Sequence, residues 1–233
     1  MKTKKLLFYS LAAILGGCVP VMSLHPLYTE EDVLFEEKLL GTWVDDPNNP
    51  TTTWEFKQPD ESVKAYQLIY LDKEDKKGLF DVYLVKLESE FFLDLYPSQL
   101  PCGQIDDPEK VVWLYNVFFL LPVHTFIRVD SVDPRLKMIL TDDDDMKKLL
   151  DEDPNAVRHE VVEGYDGKIM LTASTKELQA FVLKYADDGR VFSNEIILSR
   201  KKPKDPNDND PNAVDPNYID PNNTDPNEVI RIK

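Results

Sequence analysis

Cysteine and histidine are scarce: the 233-residue chain holds 2 cysteines and 3 histidines. That excludes a cysteine-built zinc module and leaves almost no material for a catalytic zinc site with three imidazoles. The one partial zinc-protease signature, His159-Glu160-Val161-Val162-Glu163, carries Glu163 where the second imidazole belongs. No Gly-x-Ser-x-Gly turn exists, so the strand-to-helix nucleophile of α/β-hydrolases is missing. Cys102, between Pro101 and Gly103, has no basic neighbour in sequence to activate it and reads as a loop thiol. Basic charge is short too: 27 Lys and Arg stand against 43 Asp and Glu, for a formal charge of −16. The longest basic cluster, Arg200, Lys201, Lys202 and Lys204, is too small to track a phosphate backbone, so no nucleic-acid partner is expected. No apolar run reaches the roughly 20 residues of a transmembrane helix. The expectation is a protein without catalytic residues, cofactor or resident metal.

What is present begins at the first residue. Met1 to Lys5 contains three lysines, and residues 6–15 form an apolar run broken only by Tyr9 and Ser10, the order of a secretory signal peptide. Leu15-Gly16-Gly17-Cys18 resembles the lipobox of bacterial lipoproteins, in which the cysteine thiol receives diacylglycerol and palmitate-type acyl chains. The resemblance implies cleavage before Cys18, a lipid anchor there and attachment to a membrane of the cell envelope. Two or more acyl chains hold stably where one binds only marginally. Val19, rather than Asp, follows Cys18, which resembles the class sorted to the outer membrane. Removal of residues 1–17 takes away three lysines and no acid, so the charge of the mature chain becomes −19.

Four segments are expected: a lipoprotein signal peptide (1–17), a lipidated tether (18–30), one β-rich domain (31–202) and a tail (203–233). Glu31 to Leu40 places Val33, Leu34, Leu39 and Leu40 at near-helical spacing, which predicts a short helix. From Gly41 the period changes to two. Thr51–Lys57, Lys64–Leu71, Leu79–Leu87 and Phe91–Leu95 are rich in Thr, Tyr, Phe and Val and predict strands. Val123–Val129 and Arg135–Leu140 flank Asp133-Pro134 as a further pair, and Lys168–Thr172 and Glu195–Arg200 add strands. Asp142–Asp151 predicts a helix with Met146, Leu149 and Leu150 on its apolar face. The run Asp142 to Asp145 is read as capping and dipole-complementing acid rather than as a calcium site. Ser174 and Glu177 form a capping box that opens another helix, with Leu178, Phe181 and Val182 inward. The predicted fold is mainly β (α+β): an antiparallel sheet curled into a barrel, with two or three short helices. In the tail Asp-Pro-Asn recurs at 205, 210, 215, 220 and 225; with almost no apolar side chains it cannot form a core and is expected to be disordered.

Gly41-Thr42-Trp43, at the head of the first strand, resembles the Gly-x-Trp of lipocalins and related calycin barrels. The resemblance implies that Trp43 plugs the closed barrel end and that Arg200, at the end of the last strand, stacks on it. The second lipocalin motif is missing, with Asp81-Val82-Tyr83 at most a remnant of it. If the barrel is lipocalin-like, Tyr66, Leu68, Tyr70, Phe80, Val82 and Phe92 would line an interior able to hold a small apolar molecule. Pro122-Val123-His124-Thr125-Phe126 and Leu171 to Gln179 resemble stretches of an uncharacterised family of bacterial envelope lipoproteins, which supports address and fold and implies no activity. Two roles stay open: a non-enzymatic binder of a small apolar or lipid ligand, or a structural or protein-interaction module of the envelope whose apolar segment 111–121 and acidic tail contact a protein partner.

Overall fold

The structure, a computed structural model, describes residues 20–74, 76–98, 121–163 and 167–202. Twelve strands and two α-helices are found among them: β1 (Met22–Ser23), β2 (Val33–Leu34), β3 (Gly41–Val44), β4 (Thr53–Lys57), β5 (Tyr66–Leu71), β6 (Lys77–Leu87), β7 (Glu90–Pro97), β8 (Thr125–Ser131), β9 (Leu136–Thr141), α1 (Asp143–Glu152), β10 (His159–Val162), β11 (Lys168–Leu171), α2 (Thr175–Lys184) and β12 (Phe192–Arg200).

The strands β3 to β9 pair antiparallel, each with the next, and β12 lies between β9 and β3. The last pairing sets Arg200 opposite Trp43 and closes an eight-stranded antiparallel barrel of lipocalin-like architecture. Closure removes the free sheet edges that invite association. A smaller sheet, in the order β1-β11-β10, stands beside the barrel.

Two apolar cores result. Inside the barrel, Trp43, Trp54, Phe56, Tyr66, Leu68, Val82, Leu84, Leu93, Leu95, Ile127, Leu136, Met138 and Leu198 interdigitate. Outside it, Val85, Leu87, Phe92 and Phe126 meet Met146, Leu149 and Leu150 of α1 and Leu178, Phe181 and Val182 of α2. The helices therefore cover a second face of β6 and β7. Those strands carry apolar residues on both sides, as Leu84-Val85 and Phe91-Phe92-Leu93 record, because each side packs against one of the two cores. Asp142 caps α1 by accepting the amides of Asp144 and Asp145 at 3.0 and 3.1 Å. Glu177 Oε2 accepts the Ser174 amide at 2.8 Å to cap α2.

Two expectations give way. Residues 31–40 are not a helix: Val33 and Leu34 pair with Val85 and Leu84 of β6, and only Glu37–Leu39 turns, as one 3-10 turn. The cause is that β6 extends beyond its pairing with β5, so its open edge offers ladder hydrogen bonds that β-branched Val33 takes. The segment expected as a tether is also built into the fold from Val21 onward. The Val21 amide donates to Thr141 Oγ1 at 3.1 Å, Ser23 and His124 exchange two backbone bonds of 2.9 Å, and Leu27 is fully buried. Thr175 Oγ1 and Gln179 Nε2 of α2 donate to the carbonyls of Pro26 and Leu27 at 2.8 and 2.9 Å, and the Leu27 amide donates to Asp94 of β7 at 2.7 Å.

Candidate functional site

Trp43, Gly41 and Arg200 meet at one end of the barrel. The guanidinium lies 3.8 Å from the Trp43 ring centre and donates to the carbonyls of Lys38 and Leu40. Trp43 Nε1 donates to the Leu39 carbonyl at 2.9 Å. Gly41 has φ +105°, and a Cβ there would stand 2.8 Å from Arg200 Nη1. Both backbone conformation and space therefore require glycine. The segment 35–40 is drawn across this end, where Phe35 stacks on Tyr66 at 4.9 Å. The Glu36 amide donates to the Tyr66 hydroxyl oxygen at 2.6 Å, and burial pushes the Tyr66 hydroxyl up to about 12.

Of the six residues expected to line an interior, Tyr66, Leu68 and Val82 are fully buried in the barrel core, with Tyr70 and Phe80 packed against it. They fill the interior. Phe92 points the other way, into the outer core, where its ring centre lies 5.8 Å from that of Phe192. On β7 the inward phase is Phe91, Leu93 and Leu95. In the pair Phe91-Phe92 alternation cannot say which aromatic turns inward once both faces are covered.

Among the described residues, two open sites border the barrel. The first, a pocket of about 270 Å³ at the Trp43 end, is lined by Leu34, Phe35, Leu84, Phe91, Val129 and Val132, with Glu36, Asp130 and Ser131 at its polar margin. Asp130 is engaged with Arg128 at 3.1 Å and Lys137 at 3.3 Å, so the floor is apolar. None of these residues was singled out from sequence, because Leu34 sits in the misjudged helix and Phe91 in the ambiguous phase.

The second is a cleft of about 470 Å³ beside the start of β8, bordered by Leu24, Tyr28, Tyr83, Tyr96, Leu121 and His124. Tyr28 and Tyr83 stack at 4.3 Å. Burial, then Tyr83 and nearby Asp94 and Asp81, push the Tyr28 hydroxyl up, so the phenol is neutral at physiological pH. Beneath the cleft Asp94 is fully buried. It accepts the Leu27 amide at 2.7 Å and faces His124 Nδ1 at 2.7 Å. Burial raises its pKa, and the bonds from His124 and Leu27 oppose the rise. A lone acid within the apolar run Phe91 to Tyr96 was a signal that could have been found. Its two partners show what it does: it fastens the N-terminal segment to the barrel wall.

Among the described residues, no group of three or more His, Cys, Asp or Glu side chains converges as a metal ion would require. Asp143 is buried, with its carboxylate held by the Ile169 amide at 2.7 Å and the Lys147 ammonium at 2.8 Å. His159 Nδ1 faces the Val157 carbonyl at 3.0 Å. Among the described residues no helix is long and apolar enough to cross a membrane. Cys18, Cys102, the apolar run 111–120 and the Asp-Pro-Asn tail lie outside the described residues. Comparison with protein-family models, with curated proteins and with solved structures returned no significant match to this chain.

Proposed function

We propose that the mature chain is a bacterial envelope lipoprotein, anchored through acyl chains on Cys18 and sorted to the outer membrane. Its barrel domain is a non-catalytic binding module for a small apolar ligand such as the end of a hydrocarbon chain. An eight-stranded antiparallel barrel is compatible with a binding domain, and the observation that carries the reading is the pocket of about 270 Å³ lined by Leu34, Phe35, Leu84, Phe91, Val129 and Val132. The ligand is assigned to this end pocket rather than to the barrel axis, because the axis is filled by Trp43, Tyr66 and Leu68. About six methylenes buried there at roughly 0.8 kcal/mol each would contribute about 5 kcal/mol before the cost of immobilisation. Affinity is therefore expected at about millimolar or weaker.

The test is native mass spectrometry of the mature protein with dodecanoate at roughly millimolar concentration, the range set by that arithmetic. One bound dodecanoate, lost on replacing Leu34→Glu at the pocket margin, is the expected result. No adduct, or one that survives Leu34→Glu, would count against the pocket. The anchor is read separately, from the intact mass of protein taken from membranes and from its release by Cys18→Ser.

A further inference from the structure

The N-terminal segment has no slack. Val21 is buried, its amide fixed to Thr141 Oγ1 at 3.1 Å and its carbonyl accepting from Thr125 Oγ1 at 3.0 Å. Only Val19 and Pro20 separate it from Cys18. Three steps of fully extended chain cover at most about 11 Å, so a lipid on Cys18 begins within that radius of Val21. Three steps in the other direction reach Leu24, which borders the tyrosine cleft.

Leu24 is 38% exposed and Leu121 68% exposed, the latter the most exposed large apolar side chain among the described residues. Tyr28, Tyr83 and Tyr96 stand around them, and the bordering carboxylate, Asp81, accepts a hydrogen bond from Ser98 Oγ at 2.7 Å. Exposed leucines beside aromatic rings are the composition of a membrane–water interface.

We propose that this face, built from Leu24, Tyr28, Tyr83, Tyr96 and Leu121, docks on the phospholipid bilayer into which the Cys18 acyl chains insert. The inference rests on acylation of Cys18 as proposed above. The short leash places the face at the membrane, and the apolar contact then fixes the orientation of the barrel, with the Trp43 end and its pocket turned away from the lipid. A mature chain of formal charge −19 gains nothing from anionic headgroups, so the contact is expected to persist at high salt.

Hydroxyl-radical footprinting of the full, acylated protein in phosphatidylethanolamine–phosphatidylglycerol vesicles tests this, with the Cys18→Ser protein and the same vesicles as reference. Oxidation of Leu24 and Leu121 is expected to fall at least about threefold, the scale expected when an exposed side chain leaves water. Val63, 42% exposed on the β4–β5 connection at the opposite barrel end, should be unchanged. Equal oxidation of Leu24 and Leu121 in both samples, or protection of Val63 instead, overturns the proposal. Replacing Leu24→Lys and Leu121→Lys together, both at exposed positions, should abolish protection of Tyr96 while the protein stays on the vesicles. The same spectra report the mass of the Cys18 peptide. If it carries no acyl group, the anchor reading fails by itself. The docking face is then judged on Cys102→Ser protein coupled through Cys18 to a maleimide-bearing phosphatidylethanolamine, where the same protection pattern supports it and its absence refutes it.

Discussion

Replacing Gly41 by alanine would set a methyl group 2.8 Å from Nη1 of Arg200 on a residue whose φ is +105°. Two separable costs follow. The backbone cost belongs to Gly41 alone: a side chain in that region of φ is strained by roughly 2 kcal/mol. The steric cost belongs to the pair, since the guanidinium must move. It then loses its stack on Trp43 at 3.8 Å, worth about 1 kcal/mol where partly exposed, and weakens its bonds to the Lys38 and Leu40 carbonyls, worth about 1 kcal/mol together at a wet site. Gly41→Ala is therefore expected to destabilise by about 4 kcal/mol, and Arg200→Ala by about 2 kcal/mol through the loss of the same contacts. In the Arg200→Ala background only the backbone strain remains. The double variant should lose about 4 kcal/mol, roughly 2 less than the sum of the single variants. Urea unfolding followed by tryptophan fluorescence on the four proteins measures the cycle. Additivity within about 0.5 kcal/mol would show that Gly41 serves its turn only, and would remove the physical reason for linking it to the arginine.

Two further outcomes are expected. Asp94→Ala should cost about 3 kcal/mol, because it strips a buried acceptor from the Leu27 amide and from His124. Amide exchange at Leu27 should rise with it, and unchanged exchange would deny that Asp94 fastens the N-terminal segment. Burial raises the Asp94 pKa, so the native state holds this proton at a pH where the unfolded chain has released it. Stability from this group is thus full below the unfolded value of about 3.9 and declines as pH rises through the folded value. Asp94→Asn should flatten that decline in a series of unfolding curves, and an unaltered pH profile would refute the assignment. Phe92→Ala should destabilise by about 4 kcal/mol through a cavity in the outer core and leave dodecanoate binding intact. Phe91→Ala should weaken that binding instead, and the reverse pattern would invert the inward phase of β7.

Much of the barrel was legible in sequence, because most strands meet water on one face. Thr53–Lys57 and Leu136–Thr141 alternate between buried and less buried positions, and both α-helices announce themselves by their caps, Asp142 and Ser174. Legibility fails where both faces of an element are covered. On β6 and β7 the outer core erases the alternation, so Phe92 was assigned to the wrong side. It fails again where pairing is non-local: Val33 and Leu34 join β6 only because that strand outlasts β5. The N-terminal strap was hidden for the same reason, since its partners Asp94, Thr125, Thr141 and Gln179 are distant in the chain. The plug, by contrast, consists of a short motif and one late arginine, and the structure brings these together. The pocket draws on β2, β6, β7 and β8, so no single stretch of sequence displays it.

These features are physically connected at the Trp43 end. Arg200 does not touch the pocket, yet it holds the carbonyls of Lys38 and Leu40, which belong to the same segment as Leu34, Phe35 and Glu36. Tyr66 fixes the middle of that segment from inside, by its stack on Phe35 and its bond to the Glu36 amide. The barrel core thus contributes no space for a ligand but does determine the shape of the wall against which one would rest. A filled interior makes that wall rigid, because Tyr66 cannot withdraw without displacing Phe56, whose ring centre is 6.3 Å away, or opening a void in a close-packed core. Specificity for a small apolar ligand would accordingly be set by preformed shape rather than by closure around it, which lowers the ordering cost of binding and limits the pocket to ligands that fit it as it stands.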